Sequence, residues 1–385
     1  MIPANLKFQS KVESASARRY TTQIQPQNGT GNYNPGDTII VNLPTRANTA
    51  LIPSESYLKG NFNLITTTAS TSSCLESCGW HQFIQRIRVF HGSNLIEDLD
   101  NYGQLAKILY DFQVPEDTVK GRFGVTSGTN EDYSGIQTDN SLNSVRSVNR
   151  GRALGALATT AGGTPFPFAI NLISLVGSLA GEKYLPLWEM TAAPLRVEIV
   201  LQSFLIRSMM VEGGAGLNFT ASGVNYVGEF LELPDSAISA IKSGSSSPMQ
   251  MVCPSIRSYT NSAAIVTTGS QISFPVPAKF SSLKSIVLAG RTTTGLAAQY
   301  PSSHCKFGLT SYNFRVGSEV LPSTQPTTVP EFYSEAIKCF GSIADLQLQP
   351  SIDNTAYSLN VPNTIAGLNQ ASTKDSGSFL IGIDM

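Results

Sequence analysis

"IRVFHGSNLIEDLDNYGQLAKILYDF" at Ile87–Phe112 is the stretch on which the fold turns. Ile87 and Val89 alternate with Arg86 and Arg88, the period of two that marks a strand with one buried face. Gly92-Ser93 ends the alternation as a turn. Beyond it Asp100 or Asn101 can cap a helix, and Leu105, Ile108, Leu109 and Phe112 recur at the i, i+3, i+4, i+7 spacing of an apolar helix face.

The same succession returns late in the chain. "SYNFRVGSEVL" at Ser311–Leu321 places Tyr312, Phe314 and Val316 on one face and turns at Gly317-Ser318. A second helix follows, with Thr328 ahead of Pro330 in the first turn and Tyr333, Ala336, Ile337 and Phe340 as its stripe.

Working outward, "SYLKGNFNL" (Ser56–Leu64) is echoed by "SSLKSIVLA" (Ser281–Ala289). Ser56/Ser281, Leu58/Leu283, Lys59/Lys284, Gly92/Gly317 and Ser93/Ser318 all stand 225 positions apart. Strand facing survives the shift, since Ile87 falls on Tyr312 and Val89 on Phe314, whereas a slip of one residue would invert it. Further upstream "GDTIIVNLP" (Gly36–Pro44) and "GSQISFPVP" (Gly269–Pro277) have matching turn residues, with Ile39, Val41 and Leu43 inward in one and Ile272, Phe274 and Val276 in the other. The two helices are 228 positions apart because "PSTQPTT" adds three residues, and they end on Phe112 and Phe340. A β-rich unit is therefore repeated.

Composition fits this reading. A chain of 385 residues exceeds what one core usually supports. Short strands separated by Gly, Pro, Asn and Ser turns favour a sandwich or jelly roll over a parallel sheet, which needs a helix at each crossover. Charged residues make up only 14%, against roughly 25% in ordinary globular proteins, while 41% hydrophobic residues suffice for packed cores. Lys+Arg 26 against Asp+Glu 27 gives a net charge of −1, so no global field draws the chain to nucleic acid or an anionic membrane. Five cysteines argue against a disulfide framework and for a reducing compartment. The opening "MIPANLKFQSKVESASARRY" is polar, without the basic-then-apolar pattern of a leader. The longest apolar stretch, Phe168–Ala180, is short of the ~20 residues of a spanning helix. The expectation is a soluble chain with no membrane anchor.

The expected organisation is all-β, two tandem jelly-roll barrels, each with a short helix after a Gly-Ser turn. Residues 1–35 form an N-terminal arm and first strand, and 36–210 the first jelly roll. Its long loop, 115–164, is polar and without period, and a loop of that length is normally functional or mobile. "LPLWEMTAAPLRVEIVL" closes the first half, with Leu195, Val197, Ile199 and Leu201 alternating inward. Residues 211–223, around "EGGAG", form a linker, and 224–385 the second jelly roll. "SFLIGIDM" (Ser378–Met385) matches "PFAINLI" (Pro167–Ile173), Phe379 on Phe168 and Ile381 on Ile170, but no counterpart of the closing stretch follows it. The second barrel is thus expected to lack its final strands within these residues, or to receive them from another chain.

The search for chemistry yields no catalytic, cofactor or metal residue. Cys74, Cys78 and His81 make a C-x3-C-x2-H spacing with no fourth ligand nearby, so a structural role outweighs zinc by roughly nine to one. His304 and Cys305 are adjacent, and neighbours on a strand face opposite ways. His91 completes a set of three histidines, and neither a nucleophile elbow nor a Walker loop occurs. Glu97–Asp98 and Glu116–Asp117 flank the first helix, where acids are more often caps and solvated edges than catalysts. Arg146, Arg150 and Arg152 form a small basic patch without the interleaved aromatics of nucleic-acid binding.

The order of "GDTIIV", "SYLKGNFNL", "IRVFHGSNLIEDLDNYGQLAKIL" and "LPLWEMTAAPLRVEIVL", with "VPAKFSSLKSIVLAGR" (Val276–Arg291) opening a second round, resembles the double jelly-roll major capsid proteins. That family builds the icosahedral shells of tailless phages, adenoviruses, virophages and large DNA viruses of algae and protists. The resemblance covers roughly Arg19 to the C-terminus and implies a non-enzymatic major capsid protein, assembling as pseudo-hexameric homotrimers. It implies partners in the chain itself, in neighbouring capsomers and in penton and minor capsid proteins, with no sequence-specific nucleic acid and no cofactor. An internal membrane beneath the shell is left open. Location would be the virion, after assembly inside the host cell, with loop 115–164 a tower. Three chains of two similar barrels present six similar faces around one axis, which suits a hexagonal lattice. The competing reading is a tandem β-sandwich carbohydrate-binding or adhesin protein. It accounts for the duplication but not for a helix at the same place in both halves.

Overall fold

The computed structural model describes residues 16–29, 31–68, 72–76, 78–129, 150–153, 159, 163–203, 209–212, 215–244, 252–264, 269, 271–291, 304–344, 350–352, 354–360 and 377–385. Strands dominate. In the first half they are β1 (Arg18–Ile24), β2 (Thr38–Leu43), β3 (Thr49–Leu51), β4 (Tyr57–Thr68), β5 (Ser72–Glu76), β6 (Ile84–His91), β7 (Asn94–Asp100), β8 (Arg150–Ala153), β9 (Thr164–Ile170), β10 (Leu185–Pro186), β11 (Leu195–Leu201), β12 (Met209–Glu212) and β13 (Ala215–Glu232). The second half holds β14 (Ser285–Leu288), β15 (Phe314–Val316), β16 (Glu319–Leu321) and β17 (Ile381–Asp384). Helix α1 spans Tyr102–Gln113, α2 Asp235–Gly244 and α3 Val329–Lys338.

Eight strands of the first half pair as one long hairpin rolled up on itself. Counting β1, β2, β4, β6, β7, β9, β11 and β13 as positions one to eight, the first pairs with the eighth. The second pairs with the seventh, the third with the sixth and the fourth with the fifth, all antiparallel. Further ladders join β13 to β4 and β11 to β6. The result is two facing sheets in the orders one-eight-three-six and two-seven-four-five. That nested order is the jelly roll. Short β3 and β10 extend the first sheet, and β5, β8 and β12 form a separate three-stranded sheet.

Alternation drives the packing. Ile39, Val41 and Leu43 of β2, Ile87 and Val89 of β6, and Leu195, Val197, Ile199 and Leu201 of β11 are all at most 1% exposed. They face Leu58, Phe62, Leu64, Phe168, Ile170 and Phe219 of the other sheet in one continuous core. Phe62 is the hub, stacked on Phe83 and Phe168 at 4.6 and 4.5 Å. Each such buried side chain contributes about 1.5–3 kcal/mol relative to exposure.

Two sequence expectations change here. Residues 211–223 are not a linker, because Ala215–Gly223 lie inside β13, whose ladder with β4 runs from Ala215 to Val227. The strand that closes the first barrel is therefore β13, while Leu195–Leu201 sits mid-sheet between β2 and β6. Glycines in "EGGAG" suggested flexibility, but sheet pairing outweighs the local propensity. Loop 115–164 is also less irregular than its composition suggested: Glu116–Ser127 makes consecutive helical turns, and Arg150–Ala153 joins β5. Most of that loop lies outside the described residues.

The second half repeats part of the plan. β14 pairs with β17 and β15 with β16, which are the third-with-sixth and fourth-with-fifth pairs. The hairpins agree residue for residue: His91 opposes Asn94 and Val316 opposes Glu319, around Gly92 and Gly317 at φ 61° and 63°. An L-residue in that region is strained, and glycine is not. Helix α3 starts on a Thr328/Glu331 capping box, as its sequence signals. The match fails elsewhere. Ile381 opposes Leu288, whereas Ile170 opposes Leu58, so β17 slides along β14 and the equivalence of Phe379 with Phe168 is not kept. "GSQISFPVP" forms no strand among the described residues, and Ile272 and Phe274 are 41% and 38% exposed.

Candidate functional site

Helix α1 joins the two halves, and its surroundings are the most constrained part of the molecule. The amphipathic stripe at Leu105, Ile108, Leu109 and Phe112 implied one buried face. Instead Tyr102, Gly103, Ala106, Lys107, Tyr110, Asp111 and Phe112 are buried, and the stripe residues before Phe112 are half-buried. The helix is covered from two sides. Leu105 and Leu109 pack against the first core, while Ile108 and Phe112 belong to the second, with Phe332, Tyr357 and Phe379. Sequence periodicity reports one buried face well and a helix between two cores poorly.

Enclosure explains the polar groups on α1. Lys107 is 1% exposed and donates from Nζ to Asp111 Oδ2 at 2.7 Å and to Ser378 Oγ at 2.9 Å. A buried ammonium is tolerated only when paired and hydrogen-bonded. Ser378 comes from the second half, so this bond crosses the junction. His304 stands beside it, bridged to Ser378 and bonded through its backbone to Gly377 and Phe379. Burial, with the charges of Lys107 and Arg291 in support, pushes its imidazole down to about 3. Ser351 adds two more bonds across the junction, from its backbone N–H to Asp111 O at 3.0 Å and from Oγ to Tyr110 O at 3.2 Å.

On the other side of α1, His81 is wholly buried between two phenols, Tyr102 at 3.0 Å from Nδ1 and Tyr110 at 2.8 Å from Nε2. The Tyr102 hydroxyl accepts the backbone N–H of Ile173 at 2.9 Å. It is then best placed to donate to Nδ1, which assigns the ring proton to Nε2. Burial holds this imidazole down to about 3 as well, and pushes both phenols up. Cys78 donates to Gln82 Oε1 at 3.0 Å, and the side chain of Cys74 lies outside the described residues. Both ring nitrogens of His81 are engaged, which leaves the C-x3-C-x2-H spacing without its imidazole. Among the described residues no group of three His, Cys, Asp or Glu side chains is arranged to hold a metal.

The other flagged residues are scattered. Glu97 is 4% exposed and accepts from Ser174 Oγ and from the Leu175 backbone N–H at 3.0 Å, and burial raises its pKa against those bonds. Asp98 takes a two-pronged bond from Arg86 at 2.7 and 2.6 Å, which lowers its pKa. The pair points to opposite faces of β7. Glu116 is exposed and pairs with Lys120, and Asp117 is exposed. His91 ends β6 with Nε2 buried and unpartnered. Cys305 is buried and its backbone N–H bonds Gly290 O. Arg146 and the side chains of Arg150 and Arg152 lie outside the described residues. The sequence reading missed Lys107, Asp111 and Ser378. A Lys and an Asp four apart on a helix read as a solvated pair, and nothing local marks them as buried.

The first half thus defines a jelly-roll protein with a partial repeat fused through α1. No family model matches the chain, and no curated protein matches it. Among solved structures, it is similar to the cryo-EM structure of the Sputnik virophage, at 11% identity over 61% of this chain and 52% of that one, TM-score 0.40. It is similar to the PBCV-1 virus capsid at 11% identity, 60% and 46% coverage, TM-score 0.37. The mavirus major capsid protein gives 14% identity, 62% and 52% coverage, TM-score 0.35. The chain spans about half the length of these structures. At such identities and scores the fold is defined by the strand order within the chain itself.

Proposed function

We propose that the chain is a major capsid protein that self-assembles, as pseudo-hexameric trimers, into an icosahedral virus shell. The observation that carries this reading is the nested jelly-roll order of the first half, followed by a second set of the same hairpin and helix elements and locked to it through α1. A rigid block made of two similar units is what a shell of quasi-equivalent contacts requires. The low charge and the polar, uncharged surface suit extensive neutral contacts between copies. The flagged histidines and acids serve packing, in line with a role that is structural and not enzymatic. Assembly would take place in the host cell and the product would reside in the virion, with penton and minor capsid proteins as neighbours.

Electron microscopy of purified protein, with light scattering, tests the reading. Regular particles, hexagonal sheets or trimers are the expected result. A monomer at micromolar concentration that forms no lattice and binds glycans on an array would replace it with the tandem-sandwich adhesin.

A further inference from the structure

In the first unit the seventh strand lies between the second and the fourth, and the eighth between the first and the third. Take the seventh and eighth away, and only the third-with-sixth and fourth-with-fifth pairs can survive. The first and second strands lose their in-sheet neighbours and cannot join either sheet. That is the state of the second unit: β14 with β17, β15 with β16, and no other ladder among the described residues there. The stretches in the first and second positions, 252–264 and 271–278, belong to neither helix nor strand.

The apolar pattern shows what is lacking. Ile272 and Phe274 alternate as Ile39 and Val41 do, yet the latter pair are 1% and 0% exposed and the former 41% and 38%. Phe280, Val316 and Val320 are 44%, 44% and 40% exposed around the same two open sheets. Apolar side chains at a strand period, beside unpaired strand edges, are sites for added strands.

We infer that two further antiparallel strands, each with apolar residues at alternate positions, dock on the free edges of β15 and β14. We assign them to polypeptide continuous with β17, because β11 and β13 follow β9 in that order in the first unit. A segment as long as 171–232 carries both strands there. Their docking recruits 252–264 and 271–278 into the sheets, so one event orders four strands. This follows from the strand order alone and stands whether or not the chain forms shells.

Hydrogen exchange and dye binding test it. In the 385-residue chain, amides of 271–278 and 285–288 exchange at least a hundredfold faster than those of β4 and β11, and the apolar dye ANS binds. In the protein isolated from its natural source the intact mass exceeds 41.2 kDa, those amides are protected and dye binding is lost. Phe274→Glu removes that protection in the longer protein and leaves exchange of the shorter chain unchanged. Slow exchange at 271–278 in the 385-residue chain overturns the open edges. A natural product of 41.2 kDa overturns the continuous source, whatever its dye signal.

Discussion

Phe112 and Phe340, which hold equivalent places in the two repeats, stack on each other with ring centroids 5.0 Å apart and planes 22° from parallel. Each ends the helix that follows its Gly-Ser hairpin, so the repeats meet where their equivalent helices finish. Tyr333 and Tyr357 pack on the same Phe112 ring at 6.2 and 6.3 Å. The first unit thereby contributes a wholly buried side chain to the core of the second.

Truncating that contact uncouples the units. Phe112→Ala is expected to cost about 3–5 kcal/mol, as a buried Phe does. Half-buried Phe340→Ala costs less, and the double mutant shows a coupling of about 0.5–1.5 kcal/mol. Calorimetry on the variants checks this. Strictly additive effects would show that the rings touch without cooperating.

The two hairpins allow a matched comparison. A Cβ at Gly317 meets open space, whereas one at Gly92 lies 3.3 Å from Ala193 Cβ. Gly317→Ala is expected to cost about 1–2 kcal/mol from the left-handed backbone alone. Gly92→Ala should cost at least as much, plus the displacement of Ala193. Denaturant titrations of the two variants give the ranking, and the reverse order would mean the turns are not equivalent.

Much of this was legible in the sequence, and the reason differs by element. The facing of β2, β6 and β11 follows from alternation, because one face of each meets the core and the other does not. The paired Gly-Ser turns fixed the repeat because a two-residue turn tolerates few residues. The role of β13 was hidden, since partners come from β1 and β4, far away in the chain, and its glycines read as a break. Lys107 and Asp111 were hidden for a similar reason: burial on both sides of α1 depends on a second unit whose core is assembled from residues more than two hundred positions later.

Acid should loosen the protein through its buried imidazoles. His81 and His304 are held down to about 3 by burial, while an unfolded histidine titrates near 6.5. The unfolded chain alone binds these protons between those values. Stability is therefore complete above pH 6.5 and falls as pH drops towards 3, by about 1.4 kcal/mol per unit for each histidine. Asp98, with a lowered pKa, adds to the loss at the acid end, and Glu97, with a raised one, opposes it. Denaturation midpoints at pH 7.5, 6 and 5 should decline, and nitrogen NMR should show both rings neutral at pH 5. A flat stability profile across that range would contradict this account.

The Lys107–Asp111–Ser378 group calls for three variants. Lys107→Met keeps most of the side-chain volume but leaves a buried carboxylate facing a buried hydroxyl. The unpaired charge is expected to cost about 3–5 kcal/mol. Lys107→Met with Asp111→Leu removes both charges and should regain most of that loss, since a buried ion pair and an apolar pair of similar size differ little. Ser378→Ala deletes only the bond across the junction, at about 1.5–3 kcal/mol for a hydrogen bond to a charged group. Because that bond links the two units, Ser378→Ala should also raise proteolysis near 304–306 and 377–380 more than within β4 or β11. If Lys107→Met alone proves as stable as the parent, Asp111 has found another partner or taken up a proton, and the ammonium is not what joins α1 to the second unit.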